Sequence, residues 1–153
     1  MKYLVGGQIF DDCIREAVYR DTQVEEESVA LTAGGVSRLT GAGELDFGGD
    51  EYRPADREEL EPELRNEEDK YGWWELSPGG YLLQLNEKPE LPPRAGAIIQ
   101  PHEHLLAGGG YHPTLWLSEN SSNEELILPL RVNEPGLNIK ENARVSQLLI
   151  MDG

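Results

Sequence analysis

Three histidines lie close together in this sequence, and their types and spacing suit metal chemistry. His102, His104 and His112 fall within eleven residues and are the only histidines of the 153-residue chain. On a strand, His102 and His104 would share one face, with Glu103 on the other. Such a pair, with a third histidine on a neighbouring strand, is an acceptable ligand set for Zn²⁺ or another transition metal. Gly108-Gly109-Gly110 would let the chain fold back to bring His112 near.

The same histidines have a simpler interpretation. His-x-His pairs also occur without a metal, and a loop rich in His and Gly can simply be exposed. Three imidazoles would then titrate near neutrality and soften the local negative charge. If a metal does bind, the cluster predicts a metal-dependent enzyme in which Glu103 or Glu119 acts as the base.

Short strands are the elements that would position these residues. Between residues 72 and 151, β-branched or alternating runs recur at intervals of about ten residues, separated by Pro, Gly, Asn and Ser. This pattern predicts a mainly all-β sandwich or barrel core. The expected strands are GWWEL, YLLQLN, LPPRAGAIIQ, HPTLWL, ELILPLRV, LNIK and ARVSQLLIM. Pro129 inside ELILPLRV predicts an edge position or a bulge, and Trp73-Trp74 should point one ring inward and one outward.

The first half of the chain has a different residue pattern. Residues 8–20 space their apolar side chains at i, i+4, i+5, i+8 and i+9, which predicts a helix. Residues 28–40 predict two short strands around Ala33-Gly34-Gly35, as a hairpin or a bulge. Residues 44–70 hold twelve acids and three Arg, which favours a solvated acidic loop or insertion that contributes solubility and covers an edge strand. A short exposed helix from Glu58 to Glu68 is the alternative, and we expect residues 1–153 to form a single domain.

Charge excludes several partners. The chain has 29 acids and 13 bases, for a formal net charge of −16, which repels phosphate backbones and anionic lipid surfaces. We therefore expect neither nucleic acid nor a membrane as partner. The acid-rich, Lys-poor composition resembles halophilic proteins, whose self-repulsion is screened by molar salt; an acidic mesophilic protein is the alternative. The one cysteine, Cys13, fits a reducing cytoplasm.

Several segments, taken in order, resemble the dUTPase / dCTP deaminase superfamily. Ser28-Val29-Ala30-Leu31 resembles that family's Ser-Val-Asp-Leu motif. The later matches are turns and strand starts in the family's order: Pro78-Gly79, Glu87, Leu91-Pro92, His112-x-Thr114 and PGLNIKENARVSQL at 135–148. The resemblance implies a distorted antiparallel barrel or jelly roll that assembles as a homotrimer, with active sites between subunits. It also implies a deoxyribonucleoside triphosphate as ligand, neutralised in part by Mg²⁺.

The chain departs from the family at the positions that do chemistry. The family's Gly-Arg-Ser-Ser-Leu phosphate segment matches Pro101 to Leu105, so His102 stands in place of the Arg, and Glu103 and His104 in place of the Ser pair. The Asp of the family's early motif corresponds to Ala30, and the proton-shuttling Glu of the deaminases corresponds to Pro129.

Some residues could still serve a site implied by the resemblance. Glu119 matches a family acid and is a candidate base. Arg144 and Gln147 are candidate phosphate or nucleobase contacts, although Arg144 could instead brace an interface and Gln147 a strand. The remaining candidate nucleotide contacts are His102, Glu103, His104, His112 and Thr114.

Three functional hypotheses follow. The first is a dUTPase/dCTP deaminase-like protein of pyrimidine deoxyribonucleotide metabolism, with lost or altered catalysis and retained nucleotide binding. The second is a metal-dependent enzyme that uses His102, His104 and His112. The third is a non-catalytic trimer with a structural or interaction role, because a fold does not carry its function along.

Overall fold

The computed structural model describes residues 2–121 and 124–153. Its helices are α1 Gly6–Cys13, α2 Arg20–Gln23, α3 Glu103–Gly108 and a 3-10 turn at Glu119–Ser121. Its strands are β1 Lys2–Tyr3, β2 Ile14–Arg15, β3 Val29–Gly41, β4 Asp56–Leu60, β5 Trp73–Leu76, β6 Gly79–Leu85, β7 Lys88–Pro89, β8 Gly96–Pro101, β9 Gly110–Tyr111, β10 Leu115–Ser118, β11 Ile127–Val132, β12 Leu137–Lys140 and β13 Arg144–Asp152.

One curled antiparallel sheet dominates the structure, in the order β10-β8-β13-β3-β6-β11-β9, with β1 added to β13 and β4 to β3. Strands β12 and β5 form a second small sheet, and β2 and β7 a third. The predicted mainly β class is therefore confirmed. Each of the seven strand segments expected between residues 72 and 151 overlaps one of the observed strands.

Strand β3 bends the sheet. Its first residues pair with β13 and its later residues pair with β6, and the register shifts between Ala33 and Gly35. The bulge predicted at Ala33-Gly34-Gly35 is confirmed and the hairpin is wrong, because β3 runs through without a turn. A Cβ on Gly34 would lie 2.5 Å from the Asn86 side-chain oxygen and 3.3 Å from the Asn86 backbone nitrogen, so a larger residue would force Asn86 to shift.

The N-terminal helix is shorter than predicted. Residues 8–20 do not form one helix, because α1 ends at Cys13 and Ile14 pairs with Pro89 in a short strand. The Gln23 side-chain oxygen then accepts the N–H groups of Val18 and Tyr19, at 2.8 Å each. A distant strand at residues 14–15 and the nearby Gln23 side chain at residues 18–19 take backbone groups that a continued helix would use, which apolar periodicity cannot reveal.

The acidic segment 44–70 contains a strand rather than only a loop. β4, with sequence DREEL, pairs along β3 at its outer edge, so the alternative of an exposed helix from Glu58 to Glu68 is wrong. Its charged side chains are exposed and Leu60 is half-buried. Charges on an exposed edge strand discourage pairing with another chain. A sequence of low β propensity is tolerated at such an edge, because β propensity depends on the position of the strand in the sheet.

Two local predictions in the β core are confirmed. Pro129 lies on β11 opposite Leu82, and on its other side β11 pairs with β9 only at Arg131 and Val132, so the proline occupies an unpaired edge. Trp74 is buried and donates its indole N–H to the Leu60 carbonyl at 3.0 Å, while Trp73 is half-buried.

The hydrophobic core lies inside the curled sheet and is closed on one side by α1. Its fully buried members include Ile9, Leu31, Leu83, Leu128 and Leu148. Within residues 2–121 and 124–153, no helix is both long and apolar enough to cross a membrane.

Candidate functional site

His102 begins a helix, so the prediction that His102 and His104 share a strand face is wrong. The His102 ring caps α3, since its Nδ1 accepts the backbone N–H of His104 at 3.0 Å. Gly109 ends the helix with a φ of 110°, a left-handed conformation that favours glycine. These two caps stabilise one short helix where the His-x-His spacing predicted a strand.

At the start of α3, the buried His102 contacts residues from distant parts of the chain. Its backbone N–H donates to Val145 at 3.0 Å, and its Nε2 lies 3.9 Å from Oε1 of Glu25. The other oxygen of Glu25 accepts the Gln147 side-chain amide at 3.0 Å. Burial lowers the pKa of His102, and His104 and Arg144 lower it further. The imidazole is therefore neutral near pH 7, with its proton on Nε2 because Nδ1 is an acceptor.

Arg144 lies beside this group, half-buried at the start of β13. It lines a surface pocket of about 330 Å³ together with His104, Leu105, Leu137 and Val145. In the part of the chain that the structure describes, no carboxylate lies within ion-pair distance of its guanidinium. In a protein of net charge −16, an unpaired arginine next to a pocket is a ready partner for an anion.

His112 is engaged elsewhere, in a fully buried pair. Its Nε2 lies 2.7 Å from Ser146 Oγ and its Nδ1 lies 2.8 Å from the Pro113 carbonyl. Since a carbonyl only accepts, Nδ1 carries the proton and Nε2 accepts from the Ser146 hydroxyl. Burial lowers the pKa of His112 as well.

The histidines therefore do not form a ligand set in this structure. His102 Nδ1 and both ring nitrogens of His112 already have hydrogen-bond partners. Over the described ranges, no group of three or more His, Cys, Asp or Glu side chains is arranged to hold a metal ion. Residues 2–121 and 124–153 likewise contain no group of three or more carboxylates arranged to hold Mg²⁺.

Glu119 and Thr114 lie on the β10 side of the sheet. Leu115 pairs with Ile99 and Ser118 with Gly96. Glu119 therefore lies near the first residue of β8, whereas His102 follows the last residue of that strand. Five residues of strand correspond to roughly 17 Å. A single chain does not bring exposed Glu119 to the His102 group, and Glu103, in the first turn of α3, is also exposed.

The two positions at which the resemblance places a family Asp and the deaminase Glu hold no ionisable side chain. Ala30 is fully buried directly opposite Gln147, and its carbonyl accepts the Gln23 amide at 2.8 Å. Pro129 is exposed on β11. The chain thus offers neither a carboxylate at the first position nor a proton shuttle at the second.

Sequence analysis did not predict the contacts that two acidic residues, Glu25 and Glu87, make in the fold. Glu25 sits in the run Glu25-Glu26-Glu27, whose sequence gives no signal that one of them contacts a buried histidine. Glu87 is fully buried and accepts hydrogen bonds from the Thr32 N–H at 2.8 Å, the Thr32 hydroxyl at 2.6 Å and the Gln23 amide at 2.8 Å. The family resemblance included Glu87 but did not predict this role.

Comparison with known proteins assigns the chain to a family. It is 30% identical over 137 residues to a probable deoxyuridine 5'-triphosphate nucleotidohydrolase of Methanosarcina mazei, covering 89% of this chain and 76% of that protein. A protein of the same name from Archaeoglobus fulgidus is 30% identical over 139 residues, covering 90% and 77%. A search with protein-family models gave no match.

The fold comparison agrees. The crystal structure of 2'-deoxycytidine 5'-triphosphate deaminase from Agrobacterium tumefaciens superposes with a TM-score of 0.68 at 16% identity, over 99% of this chain. The chain spans about half of that protein, 48% of its length. At this identity the likeness concerns the fold alone, whereas the sequence relatives carry the assignment. The chain belongs to the dUTPase / dCTP deaminase superfamily, a family of deoxyribonucleotide metabolism.

Proposed function

We propose that this protein binds a pyrimidine deoxyribonucleotide and has lost or altered the catalysis of its family. The observation that carries the proposal is the pair of replacements at Ala30 and Pro129. Water attack on a phosphate or a pyrimidine ring needs a group that takes a proton. Ala30 is fully buried and its side chain cannot take a proton, while its carbonyl accepts the Gln23 amide.

Arg144, Gln147 and His102 support the retained binding. Arg144 supplies a fixed positive charge, and Gln147 and His102 supply polar hydrogens. The site is nevertheless weaker for phosphate than one with a second arginine, because neutral His102 contributes no charge and Glu25 and Glu103 repel anions. Mg²⁺ bound to the phosphates would offset that repulsion.

A homotrimer is part of this proposal, and one face of the sheet supports it. Direct pairing places Trp116 beside Ile98 and Ile98 beside Leu149, and in the same way Tyr3 lies beside Met151. On β1, β8, β10 and β13 from Gln147 onward, the side chains of this face are uncharged: Tyr3, Gly96, Ile98, Gln100, Trp116, Ser118, Gln147, Leu149 and Met151. Arg144 lies farther along the same face, opposite Thr32. Trp116 is 70% exposed, and an uncharged patch on so acidic a protein suits contact with another subunit. Assembly would also give Glu119 of one copy a route to the His102 group of another.

Replacing Trp116 with glutamate is expected to convert the trimer into monomers. The change puts a charge at the centre of a desolvated contact, which costs several kcal/mol per interface. Sedimentation velocity at fixed salt measures the species. Leu64→Glu, at a position that is 51% exposed in the acidic segment, is the matched control and should remain trimeric. A wild-type monomer, or a trimeric Trp116→Glu variant, would contradict the assignment of this face.

Turnover and binding need separate measurements. With dUTP or dCTP and Mg²⁺ in molar KCl, we expect neither diphosphate release nor deamination at the rates of ordinary family enzymes. Calorimetry with the same nucleotides should still detect binding.

Arg144→Ala is expected to weaken nucleotide binding at least about tenfold, because it removes one charge-assisted hydrogen bond. Arg57→Ala, at an exposed position on β4, is the control and should bind like the wild type.

The outcomes separate the hypotheses. Ordinary family turnover would overturn the loss of catalysis. No heat of binding with any pyrimidine nucleotide would overturn the nucleotide-binding role and favour a purely structural trimer. Activity that disappears with a chelator and returns with Zn²⁺ would favour the metal-dependent enzyme.

A further inference from the structure

Residues 44–53, here called the acidic knob, join β3 to β4 and carry large apolar side chains into solvent. Phe47 is 109% exposed, Leu45 is 88% exposed and Tyr52 is 60% exposed. Four acids, Glu44, Asp46, Asp50 and Glu51, surround them together with a single base, Arg53. Three large apolar groups on one protruding turn mark an interaction site rather than scattered surface residues.

The knob has a defined shape. Glu44 and Arg53 exchange both backbone hydrogen bonds, at 2.8 and 2.9 Å, and their side chains form an ion pair at 3.2 Å. At the tip, the Glu51 N–H donates to the Asp46 carboxylate at 3.0 Å. The exposed side chains are therefore held on an ordered turn, and a partner would not have to bear the entropic cost of ordering it.

The pocket beside Arg144 combines an apolar lining with a positive charge, which complements the apolar and acidic side chains of the acidic knob. Its apolar lining includes Leu105, Leu137, Ile139 and Val145, and Arg144 is its one charged residue within the described part of the chain. Its volume of about 330 Å³ exceeds that of one aromatic ring. Four other pockets on the described surface each include at least one glutamate, which would repel the knob.

Three acids directly precede lining residues of this pocket in sequence: Asp21, Glu103 and Glu141. The Glu141 carboxylate accepts the Gly72 N–H at 2.7 Å, whereas Asp21 and Glu103 are exposed. The guanidinium of Arg144 has no carboxylate partner among residues 2–121 and 124–153. The pocket therefore offers both an apolar floor for a ring and an unsatisfied positive charge for the acids around it.

We propose that the acidic knob of one copy inserts Phe47 into the pocket beside Arg144 of a second copy. The contact is heterologous, because it joins two different surfaces, and it closes into a ring when the rotation between copies allows. One copy thereby covers a charged residue of the candidate nucleotide site of its neighbour. The proposal goes beyond nucleotide binding and does not depend on it.

Photo-crosslinking from the knob tests the contact. The full chain carries Phe47→p-benzoylphenylalanine and is mixed with an equal amount of ¹⁵N-labelled wild type before irradiation. The expected product is a crosslink between labelled and unlabelled chains, mapped by mass spectrometry to residues 104–105 or 137–145. The matched control is Leu64→p-benzoylphenylalanine, also exposed in the acidic segment, which should not label that pocket. Absence of crosslinks, crosslinks within one chain, or crosslinks to other segments would overturn the proposal.

A charge reversal in the acceptor chain gives an independent measurement. Arg144→Glu in the labelled chain should reduce the yield of the pocket crosslink at least fivefold, whereas Arg57→Glu should leave it unchanged. Circular dichroism first verifies that both variants fold. An unchanged yield with Arg144→Glu would mean that charge does not select this pocket, and the proposal would fail. Because no nucleotide is present, the result is independent of whether the site binds one.

Discussion

Replacing Glu87 with alanine is expected to lower the free energy of unfolding by about 3–5 kcal/mol. The Glu87 carboxylate is fully buried and accepts the Thr32 N–H, the Thr32 hydroxyl and the Gln23 amide. Gln23 in turn accepts the backbone of Val18 and Tyr19. Removing Glu87 leaves buried donors without partners, and it disconnects the N-terminal segment from β3.

Urea unfolding at fixed pH and salt measures this loss. Glu90→Ala is the matched control, because Glu90 pairs with Arg15 at 2.7 Å on the surface, where the two side chains are 39% and 56% exposed. Such surface pairs contribute about 0–1 kcal/mol. A loss for Glu87→Ala no larger than that for Glu90→Ala would contradict the role of the buried carboxylate. If Glu87→Ala does not fold, Glu87→Gln, which keeps the shape, provides a milder test of the same bonds.

The pH dependence of the Glu87 contribution has a definite sign. Burial raises the pKa of this carboxyl above the ordinary value of 4.5, against the lowering effect of the hydrogen bonds from Thr32 and Gln23. The folded state then holds the proton more tightly than the unfolded state. Its contribution is fully present below pH 4.5 and is lost as pH rises through the raised pKa. In Glu87→Gln this component of the pH profile should disappear.

Acid is expected to destabilise the protein below pH 6.5 through two buried histidines. Burial lowers the pKa values of both His102 and His112 from 6.5. Between the lowered values and 6.5, the unfolded state binds more protons, so stability falls as pH falls. Each histidine contributes a slope of up to about 1.4 kcal/mol per pH unit in that window. Protonated His112 would also lose the hydrogen bond that its Nε2 accepts from Ser146.

Unfolding free energies at several pH values between 5 and 7.5 measure this slope. His112→Gln and His102→Gln should each flatten it. His104→Gln, at an exposed position, tests whether removing any imidazole has the same effect. A slope unchanged in both buried-site variants would assign the acid sensitivity to other groups.

The acid sensitivity also bears on the candidate nucleotide site. His102 stands where the family has an arginine, and it lies 3.9 Å from Glu25. Protonation would give this position the positive charge that it lacks at neutral pH, and would pair it with Glu25. Nucleotide binding should therefore strengthen as pH falls, within the range in which the protein remains folded.

Sequence by itself determined the β core, because its signals are local. Alternating apolar residues and Pro-Gly turns predicted strands that the structure contains, from Trp73–Leu76 to Arg144–Asp152. Pro129 predicted an edge position or a bulge, because proline lacks the N–H that a strand pairing needs, and the structure has it on an unpaired edge. The same motifs indicated the superfamily, which the comparison with known proteins confirms. The replacement of its catalytic groups at Ala30 and Pro129 stays a prediction.

Only the tertiary structure decided how the polar residues are used. Spacing suggested that His102, His104 and His112 could share a metal, but the fold makes His102 a helix cap and buries His112 against Ser146. The fold also ends α1 at Cys13 and pairs β4, with the sequence DREEL, with β3. Glu25 and Glu87 gained their partners from residues up to 122 positions away. Periodicity records only which face of an element is apolar, whereas hydrogen-bond partners depend on which elements meet in space.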